Sequence, residues 1–234
     1  MADKALRPDD APLWLEPLVH ALRDGKRASA ARRLLATRVP QKEGADQAAV
    51  LICFTGDPSA RELPKDAAVL ITHRTPTMRS HSGQMAFPGG HIDAADAGPV
   101  AAALREAQEE TGLDPATVTP LALMEAATTG GSNRRVRPVV AYVADPGTVW
   151  PASERETDDV FFAPIGGLIA PANRRALGWR GWVGPAFWSG GYLIWGFTGV
   201  LLAVVLELGG WEKPWDRTPG DLSAALAESR NNER

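Results

Sequence analysis

The chain predicts an α+β fold, strands and helices layered as a sandwich, and three features of the sequence carry that expectation. Runs 47–54 and 67–73 are rich in Val, Ile, Leu and Phe and bounded by Gly, Pro and Asp, the pattern of strands. The stretches 99–111 and 190–206 are longer, and the second repeats its apolar residues at helical spacing. Strands and helices alternate irregularly, as a layered α+β or α/β sandwich requires. At 234 residues one sizeable domain with extensions is expected. We divide it into an N-terminal helical extension (1–45), a main domain (46–208) and a C-terminal tail (209–234).

Taken in order, residues 12–23 form an amphipathic helix and 28–36 a second, basic one that ends before Pro40, both expected on the outside of the main domain. The strands at 47–54 and 67–73 are joined by a charged loop over 56–64, and a Gly- and Gln-containing loop then leads to Gly89 and Gly90. Pro99 suits the first position of a helix and Gly112 the residue just past its end, which predicts a helix over 99–111. Asp114-Pro115 breaks the chain. A strand at 121–126, a polar loop at 128–133 and a strand at 137–143 follow, the last stopped by the turn signal Asp145-Pro146-Gly147. Val160-Phe161-Phe162 is a short strand, and a helix begins over 165–170.

Trp179, Trp182 and Trp188 fall in a Gly-rich segment, 172–192, read as an aromatic flap over the core, since Trp mostly serves burial, with a base-stacking loop as the alternative. The uncharged stretch 190–206 is shorter than the roughly 20 residues of a membrane span, and Gly196 and Gly199 interrupt it. Ile194, Phe197, Leu201, Val204, Val205 and Leu208 instead mark a buried packing helix. A polar helix is expected from Asp221, and the last residues, from Asn231, are expected to fray.

A net charge of −3 leaves no basic footprint for nucleic acid. Cys53 is the only cysteine and sits in an apolar run, so it reads as a core residue, and the chain fits a reducing cytoplasm. Met1-Ala2-Asp3-Lys4 has no signal-peptide core.

The chemistry concentrates on the helix over 99–111. Glu106, Glu109 and Glu110 lie at i, i+3 and i+4, so they share a face. Like charges at these spacings repel by about 0.2–0.5 kcal/mol a pair, and the C-terminal end of a helix disfavours anions. Arg105 supplies one cation. Oxygen ligands suit Mg²⁺ or Mn²⁺ as a further one. The alternative is a solvated acidic face with Arg105 as an ordinary ion-pair partner.

Gly90, the following loop, Arg105-Glu106, Glu109-Glu110 and Gly112-Leu113 together resemble the Nudix box, the loop-helix-loop signature of enzymes that cleave a diphosphate linked to another moiety. Asp96 takes the place of the first glutamate of the box, and the gap from it to Arg105 is one residue longer than usual. Upstream, Leu70-Ile71-Thr72-His73-Arg74 and the run from Met78 through Arg79, His81, Gly83 and Gln84 to Gly90 resemble the additional motif of the coenzyme A diphosphatase branch. Ile194-Trp195-Gly196-Phe197-Thr198 also resembles a stretch of that branch.

The resemblance implies the Nudix fold, an α/β/α sandwich on a mixed sheet, here with extra N- and C-terminal helices. Glu106 and Glu110 are the expected metal ligands, Glu109 holds a second ion or orients water, and Gly90 lets the backbone approach the metal. As the resemblance implies, Arg105 ties the helix to its neighbours and holds a glutamate in register. Glu156 stands where many Nudix enzymes place a catalytic or metal-binding glutamate, and Glu109 competes with it as general base. Arg74 and Arg79 are expected at the substrate phosphates. Arg134, Arg135 and Arg137 are candidates for a 3′-phosphate, and His81 contacts substrate or caps its own loop. The alternative to a flap at 172–192 is then a base-stacking or pantetheine-facing loop. The expected reaction is metal-dependent hydrolysis of coenzyme A or a derivative to 3′,5′-ADP and 4′-phosphopantetheine. Its rivals are a diphosphatase acting on ADP-ribose or another nucleoside diphosphate derivative, and a Nudix-fold binding or regulatory module without turnover. A homodimer is one expected assembly.

Overall fold

The computed structural model describes residues 5–24, 44–78, 81–129 and 134–233. The helix expected over 28–36, the Gly-Gly part of the 128–133 loop and Arg79 lie outside them.

The centre is β1 (Ala48–Thr55), an apolar run with neighbours on both edges and cover on both faces, which is why it lacks the alternation of a half-exposed strand. One edge pairs in parallel with β7 (Arg135–Tyr142) along nearly its whole length. The other edge changes partner. Its first residues pair with β4 (Gly89–His91) and its last with β2 (Ala68–Arg74), both antiparallel. The sheet is therefore mixed, as expected. β3 (Met85–Ala86) and β8 (Thr157–Pro164) flank β2, while β5 (Thr119–Leu123) and β6 (Ala127–Thr128) pair with β7.

The side chains of β1 divide between two cores. Ala49, Leu51 and Cys53 point to one face, where Val100, Ala103 and Ala107 of helix α2 (Pro99–Thr111) cover them. Ile52 and Phe54 point to the other, into a larger core built with α1 (Glu16–Arg23), α3 (Ile165–Leu168) and α4 (Gly196–Leu208). Helices on both faces of a mixed sheet make the expected sandwich. Trp14, Leu15 and Leu18 at the start of the chain are fully buried in the larger core, so the α1 region belongs to the core and does not merely coat it. No helix among the described residues is long and apolar enough to cross a membrane.

The segment expected as a flap is instead a second sheet. β9 (Arg174–Trp179), β10 (Trp182–Ser189) and β11 (Tyr192–Ile194) form an antiparallel meander, with β12 (Pro219–Asp221) added in parallel beside β9. Both hairpins turn through two residues with positive φ, Arg180-Gly181 and Gly190-Gly191, which matches the right-handed twist of paired strands. Helix α5 (Leu222–Glu228) follows, capped by Asp221. Beyond it residues 229–233 do not fray. Asn231 is fully buried, and its side-chain amide pairs with both the N–H and the carbonyl of Leu193 at 2.8 and 2.9 Å.

Candidate active site

Helix α2 runs over the expected residues, with Pro99 in its first turn and Gly112 in the left-handed conformation just past its end. β4 lays Gly89 and Gly90 along the edge of β1, directly beneath this helix. Gly89 approaches β1 so closely that a Cβ there would lie 2.3 Å from the Ala49 carbonyl oxygen. At Gly90 a Cβ would lie 2.5 Å from both carboxylate oxygens of Glu106. The glycine pair is thus a cradle shaped by the helix above it.

Two of the three helix acids enter that cradle. Glu110 is 3% exposed, and one of its oxygens accepts the Gly89 N–H at 3.1 Å. Burial pushes its carboxyl up to about 7, against the Arg74 charge and the Gly89 N–H, while Glu106 and Glu156 push it further up. Burial also raises Glu106, and Glu109 and Glu156 add to the rise, while Arg105 opposes it. Glu109 behaves differently. Its side chain is 58% exposed and turns to Arg105 at 3.2 Å.

Arg105 is the hub. Its Nε and Nη2 donate to the two oxygens of Asp96 at 3.1 and 3.0 Å, a bidentate fork. Nη1 reaches Glu106 at 3.0 Å, and Nη2 also donates to the His91 carbonyl at 3.0 Å. Asp96, given the first acid position of the box, therefore serves here to anchor Arg105. The guanidinium holds its carboxyl below the usual carboxylate range.

Glu156 comes from the turn before β8. Its N–H donates to Ser153, and its carbonyl accepts from Thr75 at the end of β2, which brings it beside Arg74. Its charge acts on Glu106 and Glu110 together. Arg74 is half-buried, sets its charge beside Glu110, and carries a buried Nε with no hydrogen-bond partner among the described residues. The remaining candidates stand apart. Arg135 and Arg137 both pair with Asp46, at 3.0 and 2.7 Å, so they brace the start of β7. His81 caps its own loop through Gln84 at 3.0 Å.

The donor chemistry fits a hard divalent ion: two carboxylates one helical turn apart, raised above their ordinary values by burial and by neighbouring carboxylates, against a backbone with no Cβ in the way. Among the described residues no three His, Cys, Asp or Glu side chains stand together as a ready ligand set. Mg²⁺ needs fewer, since it is held by one or two carboxylates together with waters and substrate phosphates. The buried Asn231 and the half-buried Glu233 behind the Gly83–Gln84 loop were missed at the level of sequence. No periodicity or motif marks them.

The family model for the NUDIX domain matches residues 45–180. Over 176 residues the chain is 36% identical to the Nudix hydrolase NudL of Cronobacter sakazakii, covering 72% of this chain and 84% of that one. NudL of Salmonella paratyphi B is 36% identical over 171 residues, covering 70% and 83%. Among solved structures, the Nudix hydrolase RenU of M. smegmatis is 27% identical over 53% of this chain and 73% of its own, with a TM-score of 0.41. The family model and the NudL relatives make the chain a hydrolase of phosphoric anhydrides. It belongs to the Nudix family, whose members use divalent metal ions.

Proposed function

We propose that this chain hydrolyses the diphosphate of coenzyme A or its acyl derivatives, releasing 3′,5′-ADP and 4′-phosphopantetheine or its acyl form. The supporting observation is one of continuity. The upstream stretches resembling the coenzyme A branch are Leu70 to Arg74 and Met78 to Gly90, and the second ends on Gly89 and Gly90, the cradle against which Glu106 and Glu110 are held.

Glu106 and Glu110 would hold a Mg²⁺ or Mn²⁺ ion, with Glu109 at its margin and Gly90 giving the backbone access. When bound, such an ion neutralises diphosphate oxygens and acidifies a bound water. Arg105 is a positioning residue that keeps Glu106 in register through Asp96. Glu156 is the better general base than Glu109. Its charge acts on both cradle carboxylates, whereas Glu109 is engaged with Arg105. Arg74 takes a substrate phosphate, with Arg79 from the same motif beside it in sequence. Arg135 is committed to Asp46 and His81 to Gln84, so we give neither a direct substrate contact. Water adds across the P–O–P bridge, its oxygen joining one phosphorus while the other phosphate leaves with the bridging oxygen. The reading places the enzyme in the cytoplasm.

Incubation with Mg²⁺ or Mn²⁺ and, separately, coenzyme A, acetyl-coenzyme A and ADP-ribose, followed by chromatography of the products, tests it. Coenzyme A is expected to give 3′,5′-ADP. Faster turnover of ADP-ribose removes the coenzyme A assignment, and unchanged turnover in Glu110→Gln removes the metal assignment.

A further inference from the structure

Residues 229–233 cross the back of the loop that leads into the glycine cradle. Gly83 has φ +73°, and a Cβ there would lie 2.3 Å from the Asn231 carbonyl oxygen and 2.8 Å from the Glu233 nitrogen. The Glu233 carboxylate gathers three donors from three segments. One oxygen accepts Trp195 Nε1–H at 2.7 Å and Asn231 Nδ2 at 2.8 Å, and the other accepts the Gln84 amide at 3.5 Å. All three partners are donors, so a group that only accepts is the one that fits.

The segment is bolted down on its far side. Besides Asn231 on Leu193, the Arg230 N–H donates to Gly191 at 3.0 Å, and its guanidinium lies 4.8 Å over the Tyr192 ring. His73 closes the arrangement. Its Nε2 faces the carbonyls of Gly83 at 3.2 Å and Asn231 at 3.0 Å, while Nδ1 meets Asp158. Asp158 sits at the irregularity where the pairing of β2 with β8 shifts register, so its side chain is turned onto His73. Glu156 is two residues upstream. One buried imidazole thus touches the loop, the strap and the segment that carries Glu156.

We infer that Asn231 and Glu233 are positioning residues of this enzyme: as a strap they hold the Gly83–Gln84 loop in the conformation that receives substrate. The inference rests on the proposed function for the identity of the substrate, and its strap half does not. Without the strap the loop leading into β3 and β4 keeps its backbone pairing with Arg74, its contact with His73 and the short pairing of β3, and loses the Glu233 carboxylate and the backbone packed behind Gly83 and Gln84. Substrate must then order it on binding, which raises KM and leaves the chemical step alone.

The test uses Glu233→Ala and Asn231→Ala in the full chain, with Trp195→Phe as a milder variant that removes one donor and leaves the strap in place. KM for whichever of coenzyme A or ADP-ribose the parent hydrolyses is expected to rise about tenfold in the first two, with kcat within about twofold. Trp195→Phe is expected to move KM the same way by less. Hydrogen exchange at Gly83 and Gln84 is expected to quicken while β1 amides stay protected. An unchanged KM, an equal loss in kcat, or unchanged exchange at Gly83 and Gln84 overturns the inference. The exchange measurement decides it even where neither substrate is hydrolysed, a result that would count against the proposed function instead.

Discussion

At Glu110 burial works against charge, and the conflict has a sign that can be followed. Its carboxyl rises from an ordinary 4.5 to about 7, so between those values the folded chain keeps a proton that the unfolded chain has released. The stability this confers is complete below 4.5 and is lost as the pH rises through about 7. In metal-free buffer, denaturant titrations should show stability falling across that window in the parent and a shallower fall in Glu110→Gln. A cation competes with the same proton. The rise in thermal midpoint on adding Mn²⁺ should therefore be larger at a pH above that value than below it. The two glycines separate backbone from site. Gly89→Ala meets the β1 carbonyl and is expected to destabilise the chain by about 2–3 kcal/mol in denaturant titrations. Gly90→Ala meets first the Glu106 carboxylate, the movable end of a side chain, so it should fold nearly normally and lose at least about tenfold in turnover. The acids were legible in the sequence because i, i+3 and i+4 is a local rule. That Asp96 grips Arg105, and that Asp46 takes Arg135 and Arg137, was not legible, since each depends on how chain segments meet in space.

Helix α2 shows what local signals achieve at the scale of an element. Pro99 and Gly112 mark its ends because the missing N–H and the left-handed residue are needed there. Gly112→Ala is expected to lower stability by about 1–2 kcal/mol, measured by denaturant titration. Part of that comes from φ +69° and part from the Trp150 ring, 2.6 Å from where the new Cβ would sit. The second sheet shows the opposite case. Gly190-Gly191 and Arg180-Gly181 between apolar runs were hairpin signals, yet the density of Trp and Gly led to the reading of a flap. Trp179 and Trp182 are cross-strand partners at a hairpin end, and Trp179 is half-exposed there. Of the interrupted apolar stretch, Gly196 onward became α4 as the periodicity required, while Tyr192–Ile194 became β11, so Ile194 does not belong to the helix.

Across the molecule, the start and the later part of the chain close one core. Trp14 packs edge-on against Phe54 and Tyr142, and tilted against Trp211, at 5.7 Å between centroids in the last case. Trp14→Ala should lower stability by about 3–5 kcal/mol in denaturant titrations, with KM unchanged, since the cluster lies in the core on the face of the sheet away from α2. Periodicity could suggest a helix near Trp14 and leave its partner open. Trp211 lies far along the chain, and only the folded sheet brings it there.

By itself the sequence determined the acid helix, its two ends, the glycine pair that meets it and the apolar strands, because each rests on spacing within one segment. Tertiary structure alone decided which acids are buried, which arginines are already engaged, and that residues 229–233 brace the loop before the cradle. Those outcomes are set by desolvation and by donors and acceptors meeting from distant segments, and no local pattern records which segments will meet.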